Sequence, residues 1–116
     1  MKTKDPVCEF GCPVEAALDV VGGKWKGVIL FYLRDETRRF NELRRLIPGV
    51  SQRMLTKQLR ELEADRVVHR EIFQQIPPKV EYSLTKFGQT LTPVLIELQE
   101  WGVTYMQDIT DTRNTA

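Results

Sequence analysis

Apolar residues recur with the three- and four-residue spacing of amphipathic helices in five segments of the chain. The first helix is expected to begin at Pro13, because proline is tolerated at the first helical position, and Gly22-Gly23 stop it. A second helix runs from about Lys24 to Leu33, and a short third one covers about Phe40 to Leu46. Residues 34–39 between them are expected to be a polar connection.

A Pro-Gly turn leads to Ser51, the expected N-cap of a fourth helix that ends near Asp65. The period then changes to that of a strand, because every second residue of Lys79–Leu84 is apolar. Val67 to Ile76 is the expected partner strand. Pro77-Pro78 mark the tip or an edge of this hairpin, because proline cannot donate to a ladder.

The last helix is long: Thr85 caps it, it continues to about Ile109, and Pro93 either kinks it or marks its effective start. The order of elements predicts an α+β, mainly helical fold, a helix-turn-helix followed by a wing over residues 67–84. The expected organisation is an N-terminal arm (1–12), one domain (13–110) and a frayed tail (111–116).

Length and composition are those of one ordinary globular domain: 116 residues, 41% hydrophobic and 28% charged. The longest apolar run, Val28 to Leu33, is far too short to span a membrane. Residues 1–6 lead into no apolar segment, so we expect no secretory signal and a cytoplasmic location.

Charge is unevenly distributed although the net charge is only +1. Residues 38–60 hold seven basic side chains and one acidic one, whereas residues 87–116 hold one basic and four acidic. This pattern fits a surface that binds a polyanion. A solvated basic surface is the alternative, and charge alone does not separate the two.

The fourth helix is the expected DNA-recognition helix. Its apolar stripe is formed by Met54, Leu55, Leu59 and Leu62. Its other side bears long donors and no acid, namely Gln52, Arg53, Thr56, Lys57 and Arg60. Because the N-terminal residues of such a helix contact base edges, we assign Gln52, Arg53 and Thr56 to bases. Lys57 and Arg60 are assigned to phosphates, and the DNA face is completed by Ser51, Arg39 and Lys79. A solvated amphipathic helix is the alternative.

Other chemistry is poorly represented in the sequence. His69 is the single histidine and could join Cys8 and Cys12 in at most a three-ligand site, so we expect no metal and no cofactor. A lone histidine near no recognisable nucleophile also argues against an enzyme.

Several sequence blocks together closely resemble the HxlR-type winged helix-turn-helix regulators, relatives of the MarR regulators. The resemblance extends from about Cys12 to Gly102. It rests on Cys12-Pro13-Val14-Glu15, Gly22-Gly23-Lys24-Trp25-Lys26, Arg39-Phe40-Asn41-Glu42-Leu43, Ser51-Gln52-Arg53-Met54-Leu55-Thr56, Leu59-Arg60-Glu61-Leu62-Glu63 and Pro77-Pro78-Lys79-Val80-Glu81-Tyr82-Ser83-Leu84-Thr85. It implies a homodimeric transcription regulator of bacteria or archaea that binds palindromic double-stranded operators. It also implies sensing of oxidants or electrophiles at Cys12.

The last helix is the candidate dimer element. About 25 residues would make it roughly 37 Å long, more than so small a domain covers. We expect the part nearest the core, Phe87 to Val94, to pack on its own chain. The expected dimer interface consists of Leu95, Leu98, Trp101, Tyr105 and Ile109. Closure of the chain's own core by the whole helix is the alternative.

Cys12 precedes a proline and therefore takes the extended geometry of an N-cap, where the helix stabilises a thiolate. Glu15 opposes this effect, and an inert packing cysteine is the alternative. Cys8 is a plausible resolving thiol, through a bond within or between chains.

The rival to the whole interpretation is a winged-helix protein–protein interaction module that does not bind DNA. Neither the operator nor an inducer follows from the sequence.

Overall fold

The computed structural model describes residues 11–115, with side chains described as far as Arg113. The elements are, in chain order, α1 (Pro13–Val21), α2 (Lys26–Leu33), β1 (Arg38–Arg39), α3 (Phe40–Leu46), α4 (Gln52–Ala64), β2 (Val68–Phe73), β3 (Lys79–Leu84), a 3-10 turn (Gly88–Leu91) and α5 (Thr92–Thr115). The expected mainly helical α+β architecture is confirmed. Most of the expected arm lies outside the described residues.

Helices α3 and α4 form the helix-turn-helix, and Gly49 turns the chain between them with a φ of +88°. Ser51 is the N-cap of α4, as predicted: its backbone is extended and its Oγ accepts a hydrogen bond from the N–H of Met54 at 3.0 Å. The entry into the recognition helix is therefore fixed by a local side-chain bond.

The wing is an antiparallel hairpin of β2 and β3, in register from Val68 opposite Leu84 to Phe73 opposite Lys79. Strand β2 ends three residues before the expected Ile76, and Pro77-Pro78 lie in the connecting loop. A third strand, β1, pairs with the other edge of β3, so the sheet order is β1-β3-β2. The prediction that residues 34–39 are only a connection was wrong for Arg38–Arg39, because a two-residue strand has no readable period.

The core lies between the helices and the base of the sheet. Helix α2 packs against α4, α5 and β3, and α4 packs against β2. The predicted burial of Leu55, Leu59 and Leu62 is confirmed, whereas Met54 lies at the edge of the core. The buried residues are Ile29, Leu30, Leu33, Leu43, Ile47, Val50, Leu55, Leu59, Leu62, Val67, Val68, Tyr82, Leu84 and Leu95.

The connection from the wing to α5 is closely packed. Thr85 Oγ1 accepts a hydrogen bond from the N–H of Gly88 at 2.8 Å, and its hydroxyl donates to the carbonyl oxygen of Arg66 at 2.7 Å. Gly88 is buried against the carbonyl group of Val67, where a Cβ atom would clash. Thr85 thus bonds the first N–H of the 3-10 turn, whose N-cap is Phe87, and does not cap α5, which begins at Thr92, beside Pro93.

Helix α5 differs from expectation at both ends. It continues to Thr115, where a frayed tail was expected after about Ile109. The segment Phe87 to Val94 packs on its own chain only in part: Gly88 is buried and Leu91 packs against the core, whereas Phe87 is 66% and Val94 47% exposed. Leu95, the next residue, is buried in the core. No helix within residues 11–115 is long and apolar enough to cross a membrane.

Candidate nucleic-acid interface

The exposed side of α4 carries the five side chains predicted to read DNA. At 3.6 residues per turn they project within an arc of about 140°. They line one groove together with Glu61, and they are Gln52, Arg53, Thr56, Lys57 and Arg60. The buried leucines of α4 hold the helix so that this groove faces outwards.

Two hydroxyl groups of the predicted interface are used by the helix itself. Thr56 Oγ1 donates to the carbonyl oxygen of Gln52 at 2.9 Å, one turn earlier. Thr56 therefore offers its methyl group rather than a donor, which suits contact with thymine. The capping bond to Met54 occupies Ser51 Oγ, and Ser51 is not among the residues that line the groove.

A second recess lies between α3 and the wing. Arg39, Arg45 and Lys79 line it, with Asn41 and Pro78 beside them. The structure thus brings together the predicted contacts Arg39 and Lys79, from elements far apart in sequence. Lys79 is partly engaged: its Nζ lies 3.6 Å from Glu81 Oε2 and 4.3 Å from the centre of the Phe73 ring.

The cations of residues 38–60 divide into engaged and available ones. Arg38 is engaged: its Nε donates to the carbonyl oxygen of Tyr32 at 2.6 Å and its guanidinium pairs with Glu36 at 3.2 Å. The others make no ion pair within 4 Å in the part of the chain that the structure describes. They are Arg39, Arg44, Arg45, Arg53, Lys57 and Arg60.

Sequence reasoning missed the ion pair between Lys26 of α2 and Glu61 of α4, whose Nζ and Oε1 atoms lie 2.8 Å apart. The hydrogen bond from Lys26 lowers the pKa of Glu61 below its ordinary value. The sequence offered no signal for it, since the two residues are far apart along the chain.

Arg44 and Arg45 were counted in the basic segment but not assigned to the site. Arg45 lines the recess with Arg39.

The outer part of α5 exposes a set of large apolar side chains. Of the residues assigned to the dimer interface, Leu98, Trp101 and Tyr105 are exposed, and Ile109 is partly exposed. Leu95 is 3% exposed and belongs to the core of its own chain, which corrects its assignment to the interface. The rings of Trp101 and Tyr105 are stacked with their centres 5.3 Å apart.

Cys12 is exposed and takes the extended N-cap geometry predicted for it, directly before α1. The backbone N–H groups of Glu15 and Val14 lower the pKa of its thiol below the ordinary value. Cys8 lies outside the described residues.

The lone histidine, His69, lies with its Nε2 atom 2.9 Å from Glu71 Oε1. No group of three His, Cys, Asp or Glu residues able to hold a metal ion occurs within residues 11–115.

Comparison with known proteins identifies the family. The model of the HxlR-like helix-turn-helix family matches residues 20–110. The helix-turn-helix-type transcriptional regulator YdeP of Bacillus subtilis (strain 168) is 60% identical over 99 residues, which cover 85% of this chain and 77% of YdeP. YdeP and the family model are those of transcriptional regulators and not of enzymes.

Solved structures agree in fold. The redox regulator HypR in its reduced form is 56% identical with a TM-score of 0.80, over 86% of this chain and 98% of HypR. Its oxidised form is 60% identical with a TM-score of 0.78, over 80% and 96%. A MarR-family regulator of Enterococcus faecalis V583 is 40% identical with a TM-score of 0.73, over 96% and 97%. The chain belongs to the HxlR-like helix-turn-helix family and is a transcription regulator of the helix-turn-helix type.

Proposed function

We propose that the protein binds double-stranded DNA as a homodimer and that α4 enters the major groove. The observation that carries this proposal is the set of available cations around α3 and α4, several of which line the α4 groove and the recess between α3 and the wing. Such side chains displace condensed counterions from phosphates and so drive binding. Three other cations, Lys26, Arg38 and Arg70, are instead held by acidic partners.

Within the groove, position along α4 divides the roles. Gln52, Arg53 and Thr56 lie in its first turns, which approach base edges in helix-turn-helix proteins. Arginine and glutamine form paired hydrogen bonds with guanine and adenine. Lys57 and Arg60 contact phosphates in this scheme, and Arg39 and Lys79 contact the backbone beside the wing.

The dimer follows from the outer half of α5. Trp101 is 66% exposed, and it continues a stripe that includes Leu98 and Tyr105. Apolar area of this kind is typical of a surface covered by another protein, and a second copy supplies an identical complementary stripe. A two-fold dimer presents two recognition helices, so its operator is an inverted repeat. The protein acts in the bacterial or archaeal cytoplasm.

Thiol chemistry at Cys12 is the proposed control. Its lowered pKa increases the reactive thiolate fraction, and its exposure admits oxidants and electrophiles. The likeness to HypR, named as a redox regulator in both oxidation states, supports this part of the proposal.

The deciding experiment is titration of random duplex DNA at several salt concentrations. We expect log affinity to fall linearly with log salt, with a slope of about −0.9 for each phosphate neutralised. Lys57→Gln should reduce the slope, whereas Lys86→Gln, an exposed cation outside the groove, should leave it unchanged. Failure of the wild-type chain to bind duplex DNA at low salt would favour the rival, a protein–protein interaction module. If the wild-type chain binds duplex DNA, selection from randomised duplexes should return an inverted repeat.

A further inference from the structure

The ion pair between α2 and α4 borders the groove that is proposed to bind DNA. The side chain of Lys26 is 15% exposed and that of Glu61 42% exposed, with their charged atoms 2.8 Å apart. Glu61 also lines the groove, beside Lys57 and Arg60. A carboxylate at this position would repel phosphate groups if no cation held it.

Glu61 has a second cation within reach, Lys57, which lies one turn earlier on the same helix. Residues four apart on a helix face each other, and opposite charges at this spacing attract. The charge of Lys57 already helps to lower the pKa of Glu61, after the larger effect of Lys26. Without Lys26, the carboxylate would therefore be drawn towards Lys57.

We propose that Lys26 is a positioning residue for DNA binding, because it holds the Glu61 carboxylate against α2 and so leaves Lys57 free for a phosphate group. The inference rests on the proposed DNA binding by α4. Lys26 itself makes no DNA contact in this arrangement: it is largely buried, and it acts through Glu61. A pair that served stability alone would lose the same contact whichever partner was removed.

The test uses the full chain, random duplex DNA and three variants: Lys26→Met, Glu61→Gln and the double variant. Lys26→Met is expected to weaken binding severalfold and to reduce the salt slope by about one, because Glu61 then competes for Lys57. Glu61→Gln breaks the same ion pair but removes the competing carboxylate, so its affinity should equal or exceed that of wild type. The double variant should resemble Glu61→Gln.

Arg70→Met is the matched control. It too removes one positive charge and frees a carboxylate of α4, since Arg70 Nε lies 3.3 Å from Glu63 Oε1. Glu63 does not line the groove, so affinity should stay near that of wild type. Lys26→Arg should keep wild-type binding, and Lys26→Gln serves as a second variant if Lys26→Met does not fold.

The outcomes separate the two proposals. Equal losses in Lys26→Met and Glu61→Gln, or unchanged binding in Lys26→Met, would overturn the positioning role and leave DNA binding intact. Absence of DNA binding by the wild-type chain would overturn the proposed function, and the positioning role with it. Carboxyl titration by NMR gives a readout without DNA: the pKa of Glu61 should rise in Lys26→Met.

Discussion

Lys79 is paired with Phe73 directly across the wing hairpin, and its ammonium lies over the phenylalanine ring, 4.3 Å from the ring centre. Its side chain is 27% exposed, and Glu81 lies on its other side at 3.6 Å. These contacts hold the cation at the loop end of the wing, in the recess shared with Arg39.

The wing contact can be tested by hydroxyl-radical footprinting. We expect Lys79→Ala to weaken protection at the outer edges of the operator, but less than Arg39→Ala does, because Glu81 already offsets part of the Lys79 charge. Lys86→Ala, outside the recess, provides the control. Identical footprints and affinities for wild type and Lys79→Ala would remove Lys79 from the interface.

Substitution of Arg53 should affect the reading of bases, whereas substitution of Lys57, one turn later on α4, should affect the binding of phosphates. Arg53→Ala is expected to lower operator affinity by about 1–3 kcal/mol and to relax selectivity at one position in each half-site. Lys57→Ala should weaken binding to all duplexes almost equally. Gel-shift titrations at physiological salt with operator and scrambled duplexes measure both effects. Unchanged operator binding by Arg53→Ala would contradict its assignment.

The dimer can be tested on α5. Trp101→Asp places a charge within the exposed apolar stripe, and we expect it to yield monomers in sedimentation velocity, because burying an unpaired carboxylate is costly. Gln107→Asp changes the charge by the same amount on another side of the helix and should remain dimeric. A dimeric Trp101→Asp, or a monomeric wild-type chain, would refute the assigned interface.

Redox control predicts a response that depends on Cys12. Operator binding by wild type should change after diamide treatment, whereas Cys12→Ser should bind alike before and after. A disulfide with Cys8 requires that Cys8→Ser also alter the response; an intermolecular bond would show as a covalent dimer on a non-reducing gel. If wild type and Cys12→Ser respond alike, Cys12 has a structural role only.

Elements governed by local rules were predictable from the sequence. The Ser51 cap, the period-two apolar residues of Lys79–Leu84 and the stop at Gly22-Gly23 each depend on neighbours in the chain. The outward side of α4 followed in the same way, since its leucines specify which side is buried.

Features that depend on distant partners were not predictable. Strand β1 exists because β3 offers an open edge, and the burial of Leu95 depends on how α5 meets α2. The engagement of Lys26 with Glu61, and of Lys79 with Glu81 and Phe73, likewise arises from packing. Counting charges along the sequence therefore does not tell which cations remain available to DNA.

Because Gly88 packs closely against Val67, a small tilt at the start of α5 becomes a large displacement at its far end. The helix has 24 residues and is therefore about 36 Å long, and the 3-10 turn that leads into it is fixed against Val67, directly before β2. In the proposed homodimer, a tilt of about 10° at one end would displace the other by about 6 Å, close to the rise of two base pairs. A small rearrangement between the two subunits would thus move the recognition helices out of step with the operator, without altering any side chain of the DNA-reading surface.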